Sequence, residues 1–428
     1  MGTISKLSIV FSTWGNPKSY KLVKYNFENS DKQYEEKSPI FVIIKEKNIP
    51  KSNICIFVPS TLISNEDIKD IKTNASIDKI NEKIIERLSN YVNKDYLKVI
   101  PGIGDYKIGD FYLKLEYDSL IIYNQIYYEI VNFIKSKLNE NYEDIEIILD
   151  QSNGLNFYNT LIYRILKEIT MILAYKYNVS FYVYNCAPVT KGIQTSTIYT
   201  IEHIQHVEKY PIIDYMTSGP EKYRKKINGF IFSIKNCIPL LFIHLYNKIN
   251  KKVDKLINEF QEKILKYEIM FNKNTIIIKN HANDLQDFAT LLKLSLLKMI
   301  MKPLIPEPNN ISIEDLYKHK CSLEYNRIFE YLIEYEIESL LKEVNNSKGS
   351  HEELNELIKK IDNEKIKTFL KNNKSKPSKI ELRHFRAHMG FEFHSIKLEK
   401  KNDNMIIINY RNNVVDEVVN KIKNVIGP

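Results

Sequence analysis

The sequence predicts α/β plus all-α architecture: an N-terminal Rossmann-like parallel sheet domain, a helical connector, and a C-terminal helical domain carrying one small β-hairpin. Three observations lead there. The first 200 residues alternate short β-branched runs with helical stretches, the pattern of strands joined by crossover helices. Beyond about residue 200, long helical periodicities take over. At 428 residues the chain also exceeds what one ordinary core serves, so division is expected, with boundaries at 1–200, 201–270 and 271–428.

Taken in order, residues 6–12, 40–44, 53–58, 145–149 and 179–184 read as strands. Between the last two, residues 157–177 repeat apolar side chains at helical spacing, so 145–184 is expected to form a βαβ unit. Gly102, Gly104 and Gly109 lack the spacing and context of a dinucleotide fingerprint and mark a hairpin around 101–109. Residues 230–266, 282–301, 317–344 and 352–370 read as helices, broken at the prolines of 303–308 and at 345–350. Ser378, with Glu381 three residues on, has the form of a capping box, and Gly390 supplies the stop of the helix it opens. Residues 392–397 and 405–410 then suggest a hairpin, with a closing helix from Val414.

Composition sets outer limits. Lys and Arg number 62 against 53 Asp and Glu, a net charge of +9 that permits an anionic partner without requiring one. The four cysteines, Cys55, Cys186, Cys237 and Cys321, show no paired spacing for a zinc ribbon or a disulfide framework. The N-terminus has neither the basic segment nor the apolar core of a secretory signal. Residues 230–246 are the most apolar later stretch, but Lys235, Asn236 and Pro239 interrupt them. A cytoplasmic protein with no membrane partner is expected.

The C-terminal run Arg383-His384-Phe385-Arg386-Ala387-His388-Met389-Gly390 carries the chemistry. Near neutral pH an imidazole can take a proton from a ribose 2′-hydroxyl or return one to a leaving 5′-oxygen, and a guanidinium stabilises charge on the phosphorane between them. On an ideal helix the five-residue step from Arg383 to His388 gives roughly 140° of rotation and about 7.5 Å of rise. One straight helix therefore does not close both side chains on one phosphate, so a second copy across a two-fold axis, or a distortion near Gly390, has to complete the site. On spacing alone the plain alternative weighs more: Arg383 as a surface cation and His388 as a helix-end cap. His384 serves equally well as a ligand-orienting group or as a polar helix residue.

Two loops at strand ends form a second constellation. Residues 12–17, Ser12-Thr13-Trp14-Gly15-Asn16-Pro17, follow the first strand. Residues 150–156, Asp150-Gln151-Ser152-Asn153-Gly154-Leu155-Asn156, lead from a strand into a long helix whose N–H groups suit phosphate. In an open parallel sheet, ligands bind beyond the carboxyl ends of the strands. Trp14 offers a ring for base stacking, and a third loop at 187–197 adds Lys191 and Gln194. Singly, each has a plain reading: Asp150 and Ser152 as caps, Gly154 as a turn, Trp14 as core. His203 and His206 lack a third ligand for a metal, and residues 334–338 read as an acidic helix face. The basic stretch 371–379 suits either nonspecific phosphate contact or a solvated linker.

The run Arg383, His384, His388 resembles the motif of HEPN ribonucleases, with histidine in place of the commoner asparagine after the arginine. Ala387 and Gly390 match the CRISPR-associated branch of that superfamily. Residues 13–17 and the run Asp150-x-Ser152-Asn153-Gly154-x-Asn156 resemble the loops of CARF domains, where Asp-x-Thr-His-Gly-x-Asn is the usual form. The resemblance implies a homodimeric or higher homo-oligomeric endoribonuclease of type III CRISPR defence that cuts single-stranded RNA. It implies no metal or other cofactor and an activator, a cyclic oligoadenylate, with cyclic tetra-adenylate the expected ring. The implied catalytic residues are Arg383, His388 and His384. The implied activator contacts are Ser12, Thr13, Trp14, Asn16, Asp150, Ser152, Asn153, Gly154, Asn156, Lys191 and Gln194. The rival is a CARF-type transcriptional regulator binding duplex DNA through a helix-turn-helix-like connector.

Overall fold

The computed structural model describes residues 5–71, 76–139, 141–188, 195–302, 311–317, 327–346, 354–372, 380–392, 394–402, 405–411 and 413–426. Two compact units emerge. The first contains residues 1–209 and 257–296; the second contains 210–256 and 297–428. The first unit thus runs to residue 209 and takes in residues 257–296 as well.

The first unit is organised by an 8-stranded sheet. Its strands are β1 (Ser5–Thr13), β2 (Val23–Phe27), β3 (Gln33–Glu36), β4 (Ile54–Pro59), β5 (Leu97–Ile100), β8 (Tyr142–Asp150), β9 (Asn178–Cys186) and β10 (Thr195–Ile204), in the order β3-β2-β10-β9-β8-β1-β4-β5. From β9 through β5 every neighbouring pair is parallel. All six residues of β4 and the last six of β8 are buried, as strands covered on both faces require. A second sheet joins the hairpin β6 (Gly104–Ile108) and β7 (Phe111–Glu116) to β11 (Glu268–Asn272) and β12 (Thr275–Lys279), with β12 parallel to β7. The β6–β7 turn falls at Gly109, whose φ of 59° is open to glycine without strain.

Strand and helix were exchanged at one place. Residues 40–44, a β-branched run read as a strand, lie in the helix Pro39–Glu46, which opens on Ser38 with Pro39 in its first turn. Pro39, Ile40, Val42 and Ile43 are buried there, so core packing overrides the preference of Ile and Val for strands. The βαβ unit is present, with its helix at Asn156–Leu173. The hairpin β11–β12 falls where the sequence offered few strand signals.

In the second unit, the expected helix over 230–266 is two helices, Glu221–Lys235 and Pro239–Ile264; the latter continues into the first unit. Between them Cys237 takes φ 49° and Pro239 opens the next helix, because proline has no N–H to continue the previous one. Glu221–Lys235 packs on the C-terminal helix Val414–Ile426. Gly229 makes that approach possible: an added Cβ would lie 2.7 Å from Val419 Cγ2. The expected helix 352–370 is Leu354–Lys359 followed by Asn363–Asn372, reopened where Asp362 accepts the Lys365 N–H at 2.8 Å. The helix Arg327–Val344 and the hairpin β13 (Ile396–Asn402) and β14 (Met405–Tyr410) are present. Residues 318–326 and 373–379 lie outside the described residues. Among the described residues no helix is long and apolar enough to cross a membrane.

Candidate functional sites

The two loops singled out in the sequence meet at the switch point of the sheet. β1 and β8 are parallel neighbours, and beyond them the core strands proceed to β4 on one side and β9 on the other, the switch point at whose carboxyl ends open sheets hold their ligand crevice. The register aligns Ser12 with Asp150, and Ser12 Oγ donates to Asp150 Oδ2 at 2.9 Å. Thr13 Oγ1 donates to the Asn153 carbonyl at 2.8 Å and contacts Asn159 Oδ1. Asn159 in turn donates to the Gln151 carbonyl at 3.1 Å. Asn153 reaches the cap of the neighbouring helix, donating from Nδ2 to Ser38 Oγ at 2.8 Å. The two loops are thereby tied to each other and to the helix Pro39–Glu46.

Burial separates these residues into a supporting layer and a rim. Ser12, Thr13 and Asp150 are no more than 2% exposed. Burial pushes the Asp150 carboxyl above the usual carboxylate range, against the opposing pull of hydrogen bonds from Ser152 and Ser12. Asn16, Gly154 and Asn156 are exposed, with Ser152 and Asn153 half-buried between them. Trp14 does not belong to the rim. It is 2% exposed and packs edge-on against Tyr20 and Phe41, so it offers no free face for stacking; the long apolar ring fills the space between sheet and helix. Lys191 and Gln194 lie outside the described residues.

Asp150 and Ser152 do not cap the following helix. Its cap position is Leu155, with no side-chain hydrogen bond, so the first N–H groups of an 18-residue helix stand beside the crevice without a side-chain cap. Gly154 keeps this approach tight. Its φ is 133°, and an added Cβ would lie 2.1 Å from Thr13 Oγ1. Asn159 and Ser38 escaped sequence reading; the signal for Asn159 was a polar side chain on the mostly apolar buried face of its helix.

The Arg383–His388 segment lies in the second unit. Its helix, Leu382–Ala387, is shorter than expected, and Glu381 occupies the cap position itself without a side-chain bond, so no capping box with Glu381 in the first turn forms. Ser378 lies outside the described residues. His388 is the C-cap (φ −97°, ψ 23°), and the chain reverses through Met389 (φ 47°) and Gly390 (φ 80°). The ideal-helix relation between Arg383 and His388 therefore stops before His388. The reversal is rigid: Gly390 N–H donates to the Phe385 carbonyl at 2.8 Å and Phe391 N–H to that of His388 at 2.7 Å, over buried Phe385, Met389 and Phe391.

Arg383, His384 and His388 are all exposed. His384 lies 3.7 Å from Glu381, with both side chains well solvated. His388 Nδ1 lies 3.0 Å from Glu336 Oε2. Glu336 belongs to the acidic stretch read as a helix face, yet its side chain is only 14% exposed. The chemistry available here is that of a solvent-facing imidazole with one nitrogen held, on the same short segment as the exposed Arg383 guanidinium.

Residues 9–188, which include both crevice loops, match the family described as CRISPR system endoribonuclease Csx1, CARF domain. A curated protein of Methanocaldococcus jannaschii, named CRISPR system endoribonuclease Csx1, is 27% identical over 96% of this chain and 92% of its own length. Together with the two loops at the switch point, these matches make residues 9–188 similar to the CARF domain of CRISPR system endoribonuclease Csx1, and the chain as a whole similar to a protein of that name.

Proposed function

We propose that the protein is a metal-independent endoribonuclease of type III CRISPR defence that cuts single-stranded RNA when a cyclic oligoadenylate, expected to be cyclic tetra-adenylate, occupies the sheet crevice of a homodimer. The observation that carries the reading is an exposed imidazole, His388, fixed by a carboxylate in a chain similar end to end to a protein named an endoribonuclease. In this reading the second unit supplies a HEPN nuclease. His388 moves the proton of the RNA 2′-hydroxyl or of the leaving 5′-oxygen, Arg383 stabilises the phosphorane, and His384 orients the substrate. Two copies meeting on a two-fold axis bring paired sets together and present the crevice loops twice to a symmetric ring. Asn16, Ser152, Asn153, Gly154 and Asn156 supply its contacts, with Ser12, Thr13 and Asp150 holding the loops.

Product ends test the chemistry. Attack by the RNA's own 2′-oxygen leaves a 2′,3′-cyclic phosphate and a 5′-hydroxyl; 5′-phosphate ends refute the mechanism. Salt-dependent, sequence-selective binding of duplex DNA without RNA turnover favours the regulator instead. For the sensor, Gly154→Ala forces a β-carbon onto Thr13 and is expected to weaken binding of cyclic tetra-adenylate at least tenfold by calorimetry. Parental affinity in that variant rules the crevice out.

A further inference from the structure

We infer that Glu336 is a positioning residue for His388, which fixes the ring tautomer and leaves Nε2 as the proton-transferring atom; this rests on the nuclease reading above. An ionised carboxylate only accepts hydrogen bonds, so at 3.0 Å the Nδ1 of His388 must carry the proton it donates to Glu336. The unshared pair of the neutral ring then resides on Nε2. That nitrogen takes the 2′-hydroxyl proton, while across the two-fold axis the Nε2 of the second copy's His388, entering protonated, gives one to the leaving 5′-oxygen, and exchange with solvent resets both rings.

Both ends of the hydrogen bond are anchored by the fold. Glu336 stands on the 18-residue helix Arg327–Val344, held by buried Ile333, Ile337, Leu340 and Leu341. His388 stands on the backbone reversal above Phe385, and its own N–H donates to the His384 carbonyl at 3.0 Å. The asymmetry of exposure fits the role: the carboxylate is 14% exposed while the imidazole is 50% exposed, so the orienting group is shielded and the ring remains open to substrate. His384 with Glu381 is the contrasting case, with exposures of 60% and 69% and a separation of 3.7 Å, too long and too wet to fix a tautomer. Carboxylates that orient a metal-bound imidazole through its other nitrogen contribute about 10- to 100-fold to affinity or activity, and a factor of that size is expected for this ring.

The test uses the full-length protein and Glu336→Ala and Glu336→Gln, with fluorescent single-stranded RNA in chelator plus cyclic tetra-adenylate, and nitrogen-15 NMR of the His388 ring. Glu336→Ala is expected to lower kcat by roughly 10- to 100-fold with KM unchanged and to shift the neutral ring from the Nδ1–H toward the Nε2–H tautomer. Glu336→Gln keeps the shape and an accepting oxygen, and is expected to retain the Nδ1–H tautomer and recover most of kcat, which separates positioning from misfolding. If the parent cleaves RNA while both variants keep its kcat and tautomer, this role for Glu336 is overturned and the nuclease reading stands. A parent that cleaves no RNA overturns both.

Discussion

Replacing His388 with alanine is expected to slow RNA cleavage by roughly 100- to 10,000-fold, the range that general acid–base groups contribute, while cyclic tetra-adenylate binds as before. The 2′-hydroxyl is a weak nucleophile until a base removes its proton, and in the proposed mechanism His388 is the side chain that does so. Arg383→Ala is expected to cost a comparable factor by leaving the phosphorane charge unbalanced, on the order of 100- to 1,000-fold as for other oxyanion donors. Rates measured in single turnover at saturating activator separate these losses from changes in RNA affinity. Parental turnover by His388→Ala would remove the residue from the mechanism. Parental turnover by Arg383→Ala would leave a histidine-only site.

Lys293→Met is expected to destabilise the sheet unit by about 3–5 kcal/mol, because it leaves a buried carboxylate without its partner. Lys293 Nζ lies 2.8 Å from Glu168 Oε2, with side-chain exposures of 5% and 9%. The pair joins the helix Phe288–Met301 to the βαβ helix Asn156–Leu173, and so ties the returning segment 257–296 to the domain that begins the chain. Arg164 also approaches Glu168, at 3.2 Å, but it is 68% exposed and screened by water, so it replaces little of what Lys293 supplies. The double variant Lys293→Met, Glu168→Leu removes both charges and is expected to recover much of the loss, read as the urea midpoint of unfolding. A single variant with the parental midpoint would show that the pair contributes nothing.

Much of the strand-end site could be read from the chain because its logic is local. A β-branched run ending in small polar residues, followed by a glycine and a helical periodicity, marks the carboxyl end of a parallel strand, and both such loops came together at the switch point. What stayed hidden was tertiary. Nothing in the order of residues shows that Trp14 faces inward, since an indole is equally at home in a core or on a base. Ile40 to Ile44 carry strand-forming side chains on a helix because the core, and not propensity, decides there. Glu336 lies 52 positions before His388 and within an acidic run, so its partner is visible only once two distant helices are placed. The backbone reversal at Gly390 was legible, but its consequence, that His388 leaves the helix and escapes the ideal-helix spacing, was not.

In the proposed mechanism, ring binding in the sheet crevice governs RNA cutting at Arg383 and His388. It is tested most directly by measuring cleavage of a fluorescent single-stranded RNA in EDTA as cyclic tetra-adenylate is added to the parent protein. The expected result is a basal rate near background, rising saturably with the ring and undiminished by the chelator. A rate indifferent to every cyclic oligoadenylate, or one abolished by EDTA, would contradict it.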